Sequence, residues 1–232
     1  MIRAALFDMY ETLCSHYCCP LYFGAQTAED CGVEPALFLS FWRDAAGERG
    51  RTLGQITLEE RLRDILPRCG ITDPHRLDEL TALVCRKRIQ TKERCLAALH
   101  PGILPMLRGL AAQGIRLGLV SNCYNEEAQV IRAWEHISLF GSVQLSCEQG
   151  IAKPDPAIFL RCTEELGVAP EECLFIGDGG SSELETARSL GMTALQAAWY
   201  ILETPDHPSP LKPGFPRIDD PLHILQKIPL GF

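Results

Sequence analysis

Asp8 closes the short apolar run Ala4-Ala5-Leu6-Phe7, and a carboxylate there can attack an electrophile and hold the product covalently. Alone, it reads more readily as a capping or turn aspartate. Its companions change the balance. Thr12 follows at short spacing, Ser121-Asn122 end a second apolar run, and Lys153-Pro154-Asp155 precede a helix start. Gly177-Asp178-Gly179-Gly180 end a third run, with Glu183 in the next turn. A carboxylate nucleophile needs hydroxyl and amide donors for the group it attacks and a fixed cation. It needs further carboxylates where a metal takes part. Each requirement is met. Plainer roles compete: Lys153 as a solvated loop lysine, Ser121 as a strand-end hydroxyl satisfying backbone, and Glu183 as a first-turn acid favoured by the helix dipole.

The elements that must hold these residues have a common form. Ala4–Phe7, Leu117-Gly118-Leu119-Val120 and Cys173-Leu174-Phe175-Ile176 are continuously apolar, as strands of a parallel sheet covered on both faces are. Helical stripes separate the later runs: Ile103, Leu107, Leu110 and Ala111, stopping at Gly114, then a helix opened by Asp155-Pro156 and closed by Gly167. A further helix carries Leu184, Ala187 and Leu190 and closes at Gly191. Strands alternating with helices predict right-handed βαβ units and an open parallel sheet. Ligands in such sheets bind beyond the carboxyl ends of the strands, where Asp8, Ser121 and Asp178 fall. From about Ser15 to Arg94 no comparable strand occurs. Thr57-x-x-Glu60 is a capping box and Asp73-Pro74 opens another helix, which predicts an all-helical lid over the end of the first strand. The proline-rich tail from about Tyr200 predicts a loop and then a short helix from Leu222 to Ile228.

A net charge of −8 over 232 residues argues against nucleic acid or an anionic membrane as the main partner, so an anionic substrate needs a local cation or metal. No apolar run reaches about 18 residues, and the first apolar stretch is too short for a signal peptide, which predicts a cytoplasmic protein. Eleven cysteines without a CxxC pair read mostly as small buried hydrophobes in a reducing cytosol.

In order and spacing, these four groups of residues resemble the four motifs of the haloacid dehalogenase superfamily over essentially the whole chain. The helical insertion is similar to the family's first type of cap. The resemblance implies an α/β fold: a Rossmann-like open parallel sheet, built from 1–14 and 95–232, with a helical cap domain over 15–94 inserted after the first strand. It implies that Asp8 attacks phosphorus (carbon in the dehalogenases), that Thr12 and Ser121 hydrogen-bond the transferred group, and that Asn122 helps orient it. Lys153 would bridge Asp8 and the substrate anion. Mg²⁺ would be held by Asp8, the backbone carbonyl of Tyr10 and Asp178, with Glu183 assisting through the metal shell or by orienting Lys153. The substrate would be a small anionic molecule touching Tyr10, Ser121 and Asn122, with cap arginines (Arg43, or Arg49 and Arg51) available for a carboxylate or second phosphate. The protein is expected to be a monomer or homodimer.

Two features pull apart. Phosphatases of the superfamily read Asp-x-Asp-x-Thr in the first motif, whereas this chain reads Asp8-Met9-Tyr10-Glu11-Thr12. A phenol is a poor substitute for the carboxylate that protonates the leaving alcohol and activates water. Asp-x-Tyr-x-Thr is similar to the metal-independent 2-haloacid dehalogenases, whose halide leaving group needs no proton. The Gly177-Asp178 pair is similar to the Mg²⁺-dependent phosphatases, and it weighs more, because a second aspartate beside Asp8 repels it unless a cation lies between. Glu11 and His16 are candidate replacement bases. The expected function is therefore Mg²⁺-dependent hydrolysis of a small phosphomonoester, with 2-haloacid dehalogenation and non-catalytic binding of a phosphate ligand as alternatives. A Schiff-base chemistry would require a cap lysine, Lys87 or Lys92.

Overall fold

The structure, a computed structural model, describes residues 1–204 and 209–227. Six strands form one parallel sheet: β1 (Ala4–Phe7), β2 (Arg116–Ser121), β3 (Ser142–Leu145), β4 (Cys173–Gly177), β5 (Thr193–Ala197) and β6 (Arg217–Ile218), in the order β3-β2-β1-β4-β5-β6. The order reverses at β1, whose Phe7 lies opposite Leu119 of β2 and Ile176 of β4. That register brings the chain just past β1, β2 and β4 to the same level, at the switch point where open α/β sheets leave a crevice.

Alternation along each strand feeds two cores. Ala5, Phe7, Leu117, Leu119, Leu174 and Ile176 face one side, and Ala4, Leu6, Val120, Cys173 and Phe175 the other. Burying a side chain such as Phe175 contributes about 1.5–3 kcal/mol, and both faces are covered, so the strands tolerate no polar alternation. Between β1 and β2 run α1 (Gly24–Cys31), α2 (Pro35–Trp42), α3 (Ala45–Thr52), α4 (Leu58–Arg68) and α5 (Pro74–Ala97). They close over a third core containing Phe38, Trp42, Leu62, Ile65 and Val84. The Thr57–Glu60 capping box opens α4, and the Asp73 side chain caps α5 by accepting from the Arg76 amide.

The sheet helices are α6 (Ile103–Ala112), α7 (Asn125–Ala133), α8 (Ser146–Gln149), α9 (Pro156–Leu166), α10 (Glu183–Ser189) and α11 (Trp199–Glu203). Asp155 caps α9 and left-handed Gly167 ends it, as expected from the sequence. The expected short helix of the tail is a 3-10 helix over Pro221–Lys227, with Ile228 outside the described residues; edge strand β6, which precedes it, was not expected. Among the described residues no helix is long and apolar enough to cross a membrane.

Candidate active site

Asp8 leaves β1 with its amide donating to Ile176 O at 2.9 Å, so the nucleophile candidate is tied to β4. The loop that follows is tight. Glu11 takes φ 60°, a left-handed conformation that costs a non-glycine residue and recurs at functional sites. Trp199 Nε1 donates to Thr12 O at 2.9 Å and the Tyr200 hydroxyl to Leu13 O at 3.2 Å, so α11 holds this loop from below. Thr12 Oγ1 points back to Asp8 Oδ2 at 3.4 Å.

Four charged side chains converge here, all nearly water-free: Asp8, Lys153 and Asp178 at 6% exposure and Glu183 at 1%. Lys153 Nζ donates to Asp8 Oδ1 and to Glu183 Oε2, each at 2.5 Å. The Lys153 backbone is positioned by Asn122, whose Oδ1 accepts from Lys153 N at 2.8 Å while its Nδ2 donates to Lys153 O at 3.0 Å. Glu183 Oε1 accepts from Gly179 N, and a side chain on Gly177 would place its Cβ 2.0 Å from that same oxygen. Only glycine therefore lets Glu183 reach under the β4 end. Asp178 Oδ1 accepts from Gly180 N at 3.0 Å, its Oδ2 accepts from the Ser209 hydroxyl, and its carbonyl accepts from Gln196 Nε2.

Charge does not balance in this cluster. Burial pushes the Asp8 carboxyl up; Lys153 pulls it down and Asp178 pushes it further up. Burial likewise raises Glu183, reinforced by Asp8 and Asp178 against Lys153. Burial disfavours the Lys153 ammonium, but Asp8 and Glu183 outweigh it and hold the group protonated. Oxygens of Asp8, Asp178 and Glu183 lie within 4.8 Å of one another with one ammonium among them. This hard, all-oxygen, negatively overcharged set fits a divalent cation such as Mg²⁺.

Of the other expected residues, Ser121 ends β2 fully buried, with its hydroxyl 3.5 Å from Asn122 O. Tyr10 and Asn122 line a cavity of about 420 Å³ that continues to Lys92, Arg88, Arg51 and Glu48 of the helical insertion. Arg43 is not there. It is exposed at the end of α2 and lines a neighbouring cavity with Leu39 and Gln26.

The opposite wall of the cavity that Tyr10 lines holds Arg51 and Lys92, both named from the sequence, in pairings that the sequence did not disclose. Arg51 pairs with Glu126 at 2.5 Å, Arg88 with Glu126 at 3.0 Å, and Lys92 with Glu127 at 2.6 Å, all buried. The Arg51 guanidinium lies 3.8 Å from the centre of the Tyr124 ring, and the Tyr124 hydroxyl donates to Glu48 Oε2 at 2.5 Å. The available signal was Tyr124-Asn125-Glu126-Glu127, one residue beyond Ser121-Asn122: two acids at a helix start that follows a strand-end motif. His16 stacks on Tyr10 with ring centres 4.3 Å apart; its Nδ1 faces Glu11 Oε1 at 3.1 Å and its Nε2 sits against Lys92 Nζ. Burial, then Lys92, lowers the imidazole pKa, so it is neutral near pH 7 despite Glu11.

Comparison with known proteins agrees with this architecture. A glyceraldehyde 3-phosphate phosphatase of Methanopyrus kandleri is 25% identical over 216 residues, 84% of each chain. A Thermus thermophilus phosphoserine phosphatase is 32% identical over 108 residues, 45% of this chain and 42% of the relative. The fold matches a HAD family enzyme of Bacteroides thetaiotaomicron solved with magnesium and inorganic phosphate (TM-score 0.62, 19% identity, 85% of this chain and 94% of that one). It matches the L-2-haloacid dehalogenase of Xanthobacter autotrophicus comparably (TM-score 0.60, 18% identity, 97% and 98%). The family profile of haloacid dehalogenase-like hydrolases spans residues 2–191, from the strand that ends in Asp8 through the turn that carries Asp178 and Glu183, and the chain belongs to that family.

Proposed function

We propose that this hydrolase is a Mg²⁺-dependent phosphatase of small phosphomonoesters, with Asp8 as nucleophile, residues 15–94 as its cap and residues 1–14 and 95–232 as its core. The observation that carries the reading is the buried excess of carboxylate at the switch point: Asp8, Asp178 and Glu183 around the single ammonium of Lys153. A dehalogenase working on a monoanionic acid has no use for that excess. A phosphatase has, because a divalent cation supplies charge neutralisation for both the carboxylates and the substrate phosphate. Asp8, Asp178 and the Tyr10 carbonyl would hold the ion. Glu183 has both oxygens occupied, by Lys153 and by Gly179 N, which favours its role as the orienter of Lys153.

Asp8 attacks phosphorus, the bond to the leaving oxygen breaks, and the alcohol departs with a proton. Water then attacks the aspartyl phosphate, releasing phosphate and restoring the carboxylate. Lys153 bridges Asp8 and the substrate anion, Thr12 and Ser121 offer hydroxyls to the transferred group, and Asn122 holds the Lys153 backbone. His16, neutral and braced at Nδ1 by Glu11, lines the cavity and could serve as the base that Tyr10 is not once Lys92 releases its Nε2.

The far end of the cavity supports an uncharged, hydroxyl-bearing leaving group. Arg51, Arg88 and Lys92 already face Glu126 and Glu127, so a second carboxylate or phosphate would have to displace an existing partner.

The deciding assay measures phosphate and halide release from a panel of phosphomonoesters and 2-haloacids, with Mg²⁺ and with chelator. Chelator-sensitive phosphate release is expected, highest for polyol phosphates and lower for those carrying a carboxylate, and absent in Asp8→Asn. Chelator-insensitive halide release would establish the dehalogenase, which Tyr10 favours. A folded protein that turns over neither class would be a binding module.

A further inference from the structure

The chemistry above uses none of the eleven cysteines, yet two of them meet at the base of the helical insertion. Cys19 follows the 3-10 turn His16–Cys18 on the chain's way out of the sheet, and Cys95 sits near the end of α5 on its way back. They are 76 positions apart in sequence and enclose α1 to α4 with most of α5, but their Sγ atoms lie 3.1 Å apart in an S–H···S contact. A disulfide spans about 2.05 Å, so bonding asks for a shift of roughly 1 Å. Cys19 is partly exposed and Cys95 is buried, so an oxidant reaches Cys19 first.

We propose that Cys19 and Cys95 form a reversible dithiol–disulfide pair that ties together the outgoing and returning crossings of the helical insertion when the protein meets a peroxide. The Cys19 thiolate attacks one oxygen of hydrogen peroxide and the O–O bond breaks, leaving a sulfenic acid on Cys19 and a hydroxide that takes up the proton lost by the thiol and leaves as water. The Cys95 sulfur then attacks the Cys19 sulfur, losing its proton as the S–O bond breaks and a second water leaves. Two thiols are oxidised and one peroxide is reduced to two waters; a dithiol reverses the bond by exchange. Burial, with Cys19 beside it, pushes the Cys95 thiol up, so Cys95 waits protonated as the resolving thiol.

The bond acts on the cavity wall. Cys19 Sγ also lies 3.6 Å from His16 O and 3.9 Å from Thr91 O, and His16 and Lys92 line the cavity. The other close pair, Cys123 and Cys147, is farther apart at 3.8 Å, with Cys123 also on the cavity wall.

The test treats the reduced full chain with stoichiometric hydrogen peroxide, blocks remaining thiols with N-ethylmaleimide and digests with trypsin without reduction. The tryptic segment 95–108 carries Cys95 as its one cysteine, and segment 4–43 carries Cys14, Cys18, Cys19 and Cys31. A link between these segments, with loss of two titratable thiols from eleven and recovery on adding dithiothreitol, is expected in the wild type and in Cys18→Ser, and not in Cys19→Ser. Amide exchange over 16–23 and 91–98 should slow in the oxidised wild type and stay unchanged in Cys19→Ser treated identically. A link that persists in Cys19→Ser, irreversible oxidation of Cys19 without a link, or a link that leaves amide exchange unaltered would each overturn the proposal.

Discussion

In the proposed reaction, Tyr10 would leave the two half-reactions of Asp8 unequally served. Burial, then Glu127, pushes its phenol well above the usual range, so it stays protonated near pH 7: it keeps a proton to offer a leaving alkoxide but cannot take one from water. A positioned acid–base group is typically worth about 10²–10⁴-fold. The dephosphorylation step is therefore expected to limit turnover, with a burst of alcohol followed by a slow phase in rapid-quench experiments. Tyr10→Asp should accelerate the slow phase, since the shorter side chain restores a carboxylate and opens room for water. His16→Gln should slow it further if the imidazole supplies the base that Tyr10 does not. Should wild type show no burst and Tyr10→Asp run slower, Tyr10 is fitted to a different reaction, and the haloacid reading gains.

At the scale of elements, α7 is the hinge between chemistry and recognition: its first turn presents Glu126 and Glu127 to α3 and α5. Burial opposes the Glu127 charge, but Lys92, Arg88 and His16 outweigh it and hold the carboxyl at about 2 against an ordinary 4.5. A depressed folded pKa contributes stability that is complete above pH about 4.5 and lost as pH falls towards 2, here about 3 kcal/mol. The urea midpoint should accordingly drop between pH 6 and pH 3. Glu127→Gln should flatten that part of the profile while lowering stability at pH 7 by roughly 3–5 kcal/mol, because Lys92 is left buried without its carboxylate. A mutant whose pH profile parallels wild type would show that other groups carry the acid sensitivity.

The same elements explain what the sequence disclosed. β1, β2 and β4 are legible because both faces are covered and their residues are apolar throughout. β3 and β5 are not, because each buries a glutamine. Gln144 donates to Ser142 and Glu165, and Gln196 to the carbonyls of Asp178 and Pro210, so hydrogen bonds replace the apolar signal. The groups at the strand ends are local and ordered along the chain, so the motif residues could be named. The pairing of Arg51 with Glu126 joins residues 75 apart on separate layers, and no spacing rule reaches it; of the cap arginines expected at the substrate, Arg51 lines the cavity and Arg43 does not.

Across the whole molecule, folding forces together charges that water keeps apart in the unfolded chain. The chain carries −8 overall, and its fold packs three buried carboxylates around one ammonium. An ion that binds only this folded cluster stabilises the protein by mass action, about 2.7 kcal/mol at a hundred times its dissociation constant. For a chain of this size, 1 kcal/mol moves the thermal midpoint by about 2–4 °C, so saturating Mg²⁺ should raise it by roughly 5–11 °C and chelator should reverse the rise. Asp178→Ala should abolish the Mg²⁺ response. It should not lower the metal-free midpoint much, because it removes a like charge from beside Asp8 as well as the Gly180 and Ser209 contacts. Lys153→Met should do the reverse, lowering the metal-free midpoint and enlarging the Mg²⁺ shift, since the three carboxylates then have no other counter-charge. An undiminished Mg²⁺ shift in Asp178→Ala would place the ion away from β4, and the charge excess at the switch point would need another partner.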